Sequence, residues 1–245
     1  MDSDNMTLRQ LWRYAPMTIV LIASFVAMAI YQMMAGVSID AQTNADLIRF
    51  GADFVLLSMS DEPWRLLTSA FLHIGLMHLL FNSFAMYFFG QVVEVITGSV
   101  RFLVLFGLSV VGGNLLSNYQ SWQAILAGEL PTISAGASGG IMGMGAFLLV
   151  LALMKAPIGI QLNTKSLAIV MGLNIIMGFA IAGIDNAGHI GGMLTGAVLG
   201  VALSAERRLT HRLGHFPYFW ATAMLLALGF MGFWWVLQGE VVARL

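Results

Sequence analysis

Thr132-Ile-Ser-Ala-Gly-Ala-Ser-Gly-Gly-Ile-Met-Gly-Met-Gly-Ala-Phe147 sets a hydroxyl, Ser138, where a glycine-rich apolar run begins. Fifty-one residues later a second such run opens on a histidine: Gly188-His-Ile-Gly-Gly-Met-Leu-Thr-Gly-Ala-Val-Leu-Gly200. A serine and a histidine, each at the start of a membrane span, suggest a nucleophile and its general base. The remainder of the chain reads as the scaffold that brings the two together.

Composition fixes the class. Of the 245 residues, 59% are hydrophobic and 9% charged, against about 25% charged in a soluble domain. The fold class is therefore an all-α polytopic membrane protein, in which every backbone polar group in lipid is satisfied within a helix. A net charge of −1 gives no electrostatic case for a nucleic-acid partner. The absence of cysteine excludes disulfides, thiol nucleophiles and thiolate metal sites.

Seven apolar stretches are expected to cross the bilayer. Residues 1–16 are a polar N-terminal segment, and the first span covers 17–36. Ala27-Met28-Ala29 resembles a signal-peptidase site, but the apolar run continues past it and predicts an uncleaved helix. Residues 37–75 form the longest loop, with short apolar pieces such as Phe54-Val-Leu-Leu57 expected at the interface. Further spans are expected at 76–97, 101–117, 138–154, 166–183 and 189–204, with 118–135 and 155–165 as loops. Residues 206–216 read as a basic loop in which His211 and His215 are solvated. A seventh helix follows Pro217, and 217–245 holds it with a short tail. With the N-terminus inside, Arg9, Arg13, Arg101, Lys155, Lys165, Arg207, Arg208 and Arg212 are cytoplasmic, eight of the eleven cations. The positive-inside rule then fixes the orientation, with the C-terminus outside.

Counting places three polar groups at one depth. Ser138 lies 17 residues before Lys155, His189 17 before Glu206, and Asn82 16 before Gly98. At the helical rise each stands roughly 24–26 Å above the cytoplasmic boundary, near the outer face of a core about 30 Å thick. Gly188, Gly192, Gly196 and Gly200 recur every four residues, as do Gly136 with Gly140 and Gly139 with Gly143. Such small-residue faces let membrane helices meet backbone to backbone.

Each polar group also has a plain structural reading. Serine in a membrane helix commonly bonds its own backbone, whereas an ionisable group at membrane depth is rare and tends to be functional. Together, at one depth and on packing faces, Ser138 and His189 favour a dyad. His78 and Asn82, four apart on one helical face, are either a bonded packing pair or donors to an oxyanion alongside the Ser138 amide. Two histidines with no nearby carboxylate or thiolate make a poor zinc site, so no metal and no cofactor are expected. His73 is expected to be structural, Asp185 to lie too far out to orient His189, and Glu94 to anchor a neighbouring loop or helix.

Taken jointly, Gly136-Ala-Ser-Gly139, His189-x-x-Gly192 and His78-x-x-x-Asn82 resemble the rhomboid intramembrane serine proteases. Trp64-Arg65 and Gly98 after Glu94 are further similarities. The likeness covers about residues 15–205, and the last helix is similar to the extra one of bacterial "six plus one" members. It implies a six-helix catalytic core at 17–205 followed by a seventh helix. It also implies Ser138 as nucleophile, His189 as base, and His78, Asn82 and the Ser138 amide as oxyanion hole. The site would open to the outer side of a bacterial inner membrane, with the fifth span as lateral gate. The implied substrates are single-span membrane proteins, cut near the outer end of their helix after a small residue, in a setting of membrane lipid. One departure is Met142, where many members carry an aromatic residue against the histidine. A transporter or membrane-assembly factor is the alternative, but the sequence lacks the internal repeats expected of a transporter.

Overall fold

The computed structural model describes residues 12–181, 183–213 and 216–244, and of residues 210–213 the backbone only. Its long helices are α1 (Pro16–Met34), a composite of α5 (Leu76–Ala85), a π-helical turn (Met86–Gly90) and α6 (Gln91–Thr97), then α7 (Ser99–Leu126), α8 (Ser138–Leu153), α9 (Thr164–Ala180), α10 (Asn186–Leu213) and α11 (Tyr218–Val242). Five of these seven are long and apolar enough to cross a membrane, and α8 and α9 are shorter apolar helices. The protein is an all-helical integral membrane protein.

α8 is the axis of the bundle. Every residue from 140 to 148 is buried, the pattern of a helix surrounded by protein on all sides. α10 packs most closely against it and, on another face, against α7. Glycine permits both approaches: Gly192 and Gly196 lie against the backbone carbonyls of Gly139 and Gly143, and Gly191 against that of Gly112 in α7. Backbone faces backbone at these contacts, so no side chain can move aside to admit a methyl group.

The loop between α1 and α5 is folded. It contains α2 (Asn44–Arg49), β1 (Asp53–Phe54), α3 (Val55–Ser58), α4 (Arg65–Thr68) and a 3₁₀ turn (Ser69–Phe71). α2 starts with a capping box between Thr43 and Asp46. β1 pairs antiparallel with β2 (Ile133–Ser134), Asp53 opposite Ser134. This ties the loop to the segment that leads into Ser138.

Four expectations from sequence change. The third span continues to Leu126, so residues 118–126 are helix rather than loop. Their polar residues interrupted the hydropathy but bond inward: Asn118 to Asp53, and the Ser121 hydroxyl to the Thr132 amide. The sixth helix continues to Leu213, so 206–213 is helical rather than a loop. Glu206 reads as polar but is anchored on that helix, accepting from Arg101 at 2.7 Å and from the Phe219 amide at 3.0 Å. Within the apolar pieces of the first loop, Val55 and Met59 face protein, buried with Leu66, Trp122 and Leu237. α9 begins at Thr164 and ends at Ala180, capped by the Asn163 side chain. Arg9, His215 and the side chains of His211 and Arg212 lie outside the described residues.

α11 is lipid-facing over most of its length, with 11% of its apolar window buried. Two hydrogen bonds among the described residues tie it down: the Phe219 amide in its first turn donates to Glu206 at 3.0 Å, and the Trp234 indole donates to the Ser58 carbonyl at 2.9 Å.

Candidate active site

Ser138 is the first residue of α8, and His189 the fourth of α10. The close contact between these helices brings Ser138 Oγ to 2.8 Å from His189 Nε2. His189 is 8% exposed, and its Nδ1 has no hydrogen-bond partner among the described residues. For Nε2 to accept the serine proton, the neutral ring must carry its own proton on Nδ1. Because Ser138 opens a helix, its amide is one of the unpaired N–H groups of the first turn.

His78 stands beside this pair on α5. Its Nδ1 accepts the Ile74 amide at 3.2 Å, so the neutral ring carries its proton on Nε2. That edge lies over Gly136, where an added Cβ would stand 2.7 Å from Cε1 and 2.9 Å from Nε2. Gly136 has φ +136°, which a side chain rarely adopts, and its amide donates to the Ser69 carbonyl at 2.9 Å. A glycine is thus required there twice, for conformation and for room. Asn82, one turn further along α5, is buried and donates one amide hydrogen to the His78 carbonyl at 3.0 Å. Its second N–H remains for another acceptor.

The remaining residues singled out from sequence surround this centre. Gly139 and Gly192 form the close contact between α8 and α10. Met142 is buried with Ala146 and Met171, on the side of α8 that meets α9. Glu94 is 1% exposed and caps α1, accepting from the Met17 and Thr18 amides, the Thr18 hydroxyl and the Ser99 hydroxyl. Arg65 is buried in the first loop, with Nη1 donating to the Ile48 and Ala52 carbonyls and Nε to Glu62. Its guanidinium lies 4.7 Å from the centre of the half-exposed Trp64 ring. These last three residues hold the scaffold. His73 is buried, its ring packed against Phe25 and His78, and burial pushes its imidazole down to about 3, which keeps it neutral.

A polar network beside the dyad escaped the sequence reading. A small cleft runs from Ser138 and His189 to Asn114, Ser134 and Asp185. Asn114 donates to the Leu66 carbonyl and the Ser69 hydroxyl, each at 2.8 Å. Behind it Asn118 donates to both oxygens of buried Asp53, which also accepts from the Ser58 hydroxyl. Burial raises the Asp53 carboxyl to about 7 against these donors. Asn114, Asn118 and Ser121 lie on one face of α7, at i, i+4 and i+7. That spacing was the available signal.

The rhomboid domain family model matches residues 60–206 of the chain. Rhomboid protease GluP of Bacillus subtilis (strain 168) is 37% identical over 166 residues, which are 67% of this chain and 31% of that protein. Rhomboid protease AarA of Providencia stuartii is 32% identical over 204 residues, 76% of this chain and 72% of that one. RHOMBOID-like protein 6, mitochondrial, of Arabidopsis thaliana is 34% identical over 167 residues, 66% of this chain and 50% of its own. The chain thus spans about a third of the length of the first relative and half that of the third.

Proposed function

The chain belongs to the rhomboid family, and from that premise we propose that it is an intramembrane serine endopeptidase acting through a Ser138–His189 dyad. The observation that carries this reading is the 2.8 Å contact between Ser138 Oγ and His189 Nε2 at the heads of two closely packed membrane helices.

The chemistry follows from that contact. As Oγ attacks the scissile carbonyl carbon, its proton passes to Nε2. The carbonyl oxygen becomes an oxyanion, for which the Ser138 amide, the His78 Nε2–H and the free N–H of Asn82 are the donors at hand. When the intermediate collapses, the C–N bond breaks and the Nε2 proton goes to the leaving amine. An acyl-serine remains. Water then attacks the ester and gives one proton to Nε2, and the carboxylic acid leaves as that proton passes to Oγ. The substrates are single-span membrane proteins cut near the outer end of their helix. The domain plan is a cytoplasmic segment at 1–16, a catalytic core at 17–205, a cytoplasmic connection at 206–216 and an added helix at 217–245. The cation bias supports a cytoplasmic N-terminus with the site opening outward, in what we read as a bacterial inner membrane.

The test uses purified protein in liposomes with a single-span helical substrate. Wild type should cleave it and be labelled at Ser138 by a serine-reactive phosphonate. Ser138→Ala and His189→Ala should each lose cleavage with an unchanged melting temperature. Because residues acting as one unit are non-additive, the double variant should be no worse. Substantial cleavage by pure Ser138→Ala protein would end the proposal.

A further inference from the structure

Resting on the dyad reading, the geometry points to Asp185 as a positioning residue: a carboxylate clasp that sets the Ser138–His189 distance without touching the imidazole. Asp185 precedes the first residue of α10. Its Oδ1 accepts the Gly188 amide at 2.7 Å, and its Oδ2 accepts the Ser134 hydroxyl at 2.8 Å. Gly188 is the neighbour of His189, and Ser134 lies four residues before Ser138. A single carboxylate therefore joins the two chain segments that carry the dyad.

The join matters because of what the imidazole lacks. His189 Nδ1 has no partner among the described residues, so none of their side chains or backbone groups steers the ring from behind by a hydrogen bond. Its alignment depends on the relative position of the two backbones. On one side Gly188 is seated tightly: its carbonyl lies 2.5 Å from where a Cβ of Gly113 would stand, and 3.3 Å from that of Gly139. On the other side Ser134 is fixed by β-pairing to Asp53. Asp185 closes the gap between these fixed parts, and as an N-cap it also satisfies an amide of the first turn of α10. Its role differs from that of a triad carboxylate, which bonds the imidazole and stabilises its charge.

The two roles separate on substitution. Asparagine at 185 keeps an oxygen for the Gly188 amide, and its NH₂ can donate to the Ser134 hydroxyl, which reverses direction to accept. The clasp survives and the charge is lost. Alanine loses both bonds. Asp185→Ala should lower kcat about 10- to 100-fold with KM within about twofold, since a misplacement of about 1 Å costs on the order of 10². Asp185→Asn should keep kcat within about threefold of wild type. Adding Ser134→Ala to Asp185→Ala should cost less than about a further twofold, because both remove the same tie.

A readout without turnover accompanies the kinetics. In protein labelled with ¹⁵N-histidine, the imidazole resonance that moves on Ser138→Ala reports the dyad hydrogen bond. Asp185→Ala should move the same resonance in the same direction, and Asp185→Asn should leave it in place. An unmoved resonance in Asp185→Ala, or an asparagine variant as impaired as alanine, overturns the clasp. Failure of wild type to cleave or to take the phosphonate would sink the protease reading instead, and the imidazole resonance would still judge the clasp.

Discussion

Adding one methyl group between α8 and α10 should slow catalysis about 100-fold while leaving the protein folded. Gly192 lies against the Gly139 carbonyl, the residue after Ser138. Gly191, its neighbour, faces α7 instead, with a Cβ position 2.5 Å from the Gly112 carbonyl. Ordinary contact begins at 3.4 Å, so Gly191→Ala demands a shift of about 1 Å from α7, and Gly192→Ala at least as much from α8. Each overpacked site should cost about 1–3 kcal/mol. Only the Gly192 shift separates α10 from α8, the helix that carries Ser138. A rise of about 1 Å would take the 2.8 Å Oγ–Nε2 contact past the hydrogen-bond limit of about 3.2 Å. Gly192→Ala should therefore lower kcat about 100-fold, whereas Gly191→Ala, of similar melting temperature, should stay within about tenfold of wild type. Gly232→Ala, where the added methyl meets open space, serves as the control and should be neutral in both measurements. The assay is cleavage of a fluorogenic helical substrate in micelles, with melting temperature taken on the same preparation. Equal losses of kcat in the Gly191 and Gly192 variants would refute the reasoning, because packing alone would then account for both.

Other outcomes follow from the same site. Asn82→Ala should reduce kcat by about 10²–10³ while phosphonate still labels Ser138, as expected when one of several oxyanion donors is lost; near-normal kcat with a lower melting temperature would instead assign Asn82 to packing. The Asp53 carboxyl, raised by burial to about 7, holds its proton longer in the folded state, so its contribution is present below about pH 4 and lost between about 4 and 7. His73, kept neutral by burial, acts in the opposite sense over much of that range, so the comparison is with Asp53→Asn. Relative to that variant, the melting temperature of wild type should fall as pH rises from 5 to 8, and a constant difference would contradict the assignment. Reporter fusions at Leu245 should read as extracytoplasmic, and a cytoplasmic signal would reverse the topology.

The apolar runs and glycine spacings were legible because lipid imposes them. Seven helices, and the approach of Ser138 to His189, follow from hydropathy, small-residue faces and counting along a fixed helical rise. What hydropathy could not follow was polar sequence that bonds inward. Asn118 and Ser121 looked like a loop because they lower local hydropathy, yet they extend α7 by pairing with Asp53 and Thr132. Glu206 looked like the start of a solvated loop, yet it links Arg101 to the first turn of α11. Asp185 was placed by linear distance from His189 alone. Its partners are an amide one residue before the histidine and a hydroxyl 51 residues earlier in the chain. Long-range partners of this kind leave no periodic trace.

The π-helical turn at Met86–Gly90 acts as a phase adjuster. Such a turn accommodates one residue more than an α-helical turn, which rotates everything beyond it by about 100°. Upstream, His78 and Asn82 are committed to the site; downstream, Glu94 is committed to the first turn of α1. α1 passes the turn itself closely, with Thr18 about 3.0 Å from where a Cβ of Gly90 would stand. The single surplus residue keeps both commitments facing their partners. Written as an unbroken α-helix, the same sequence would barely change in hydropathy or span length, yet it would swing Glu94 more than a quarter-turn away from Thr18. For this helix the wide turn is what lets both ends keep their partners, and Gly90 and the buried Met86 within it are held to small size and apolar character by α1 and the core.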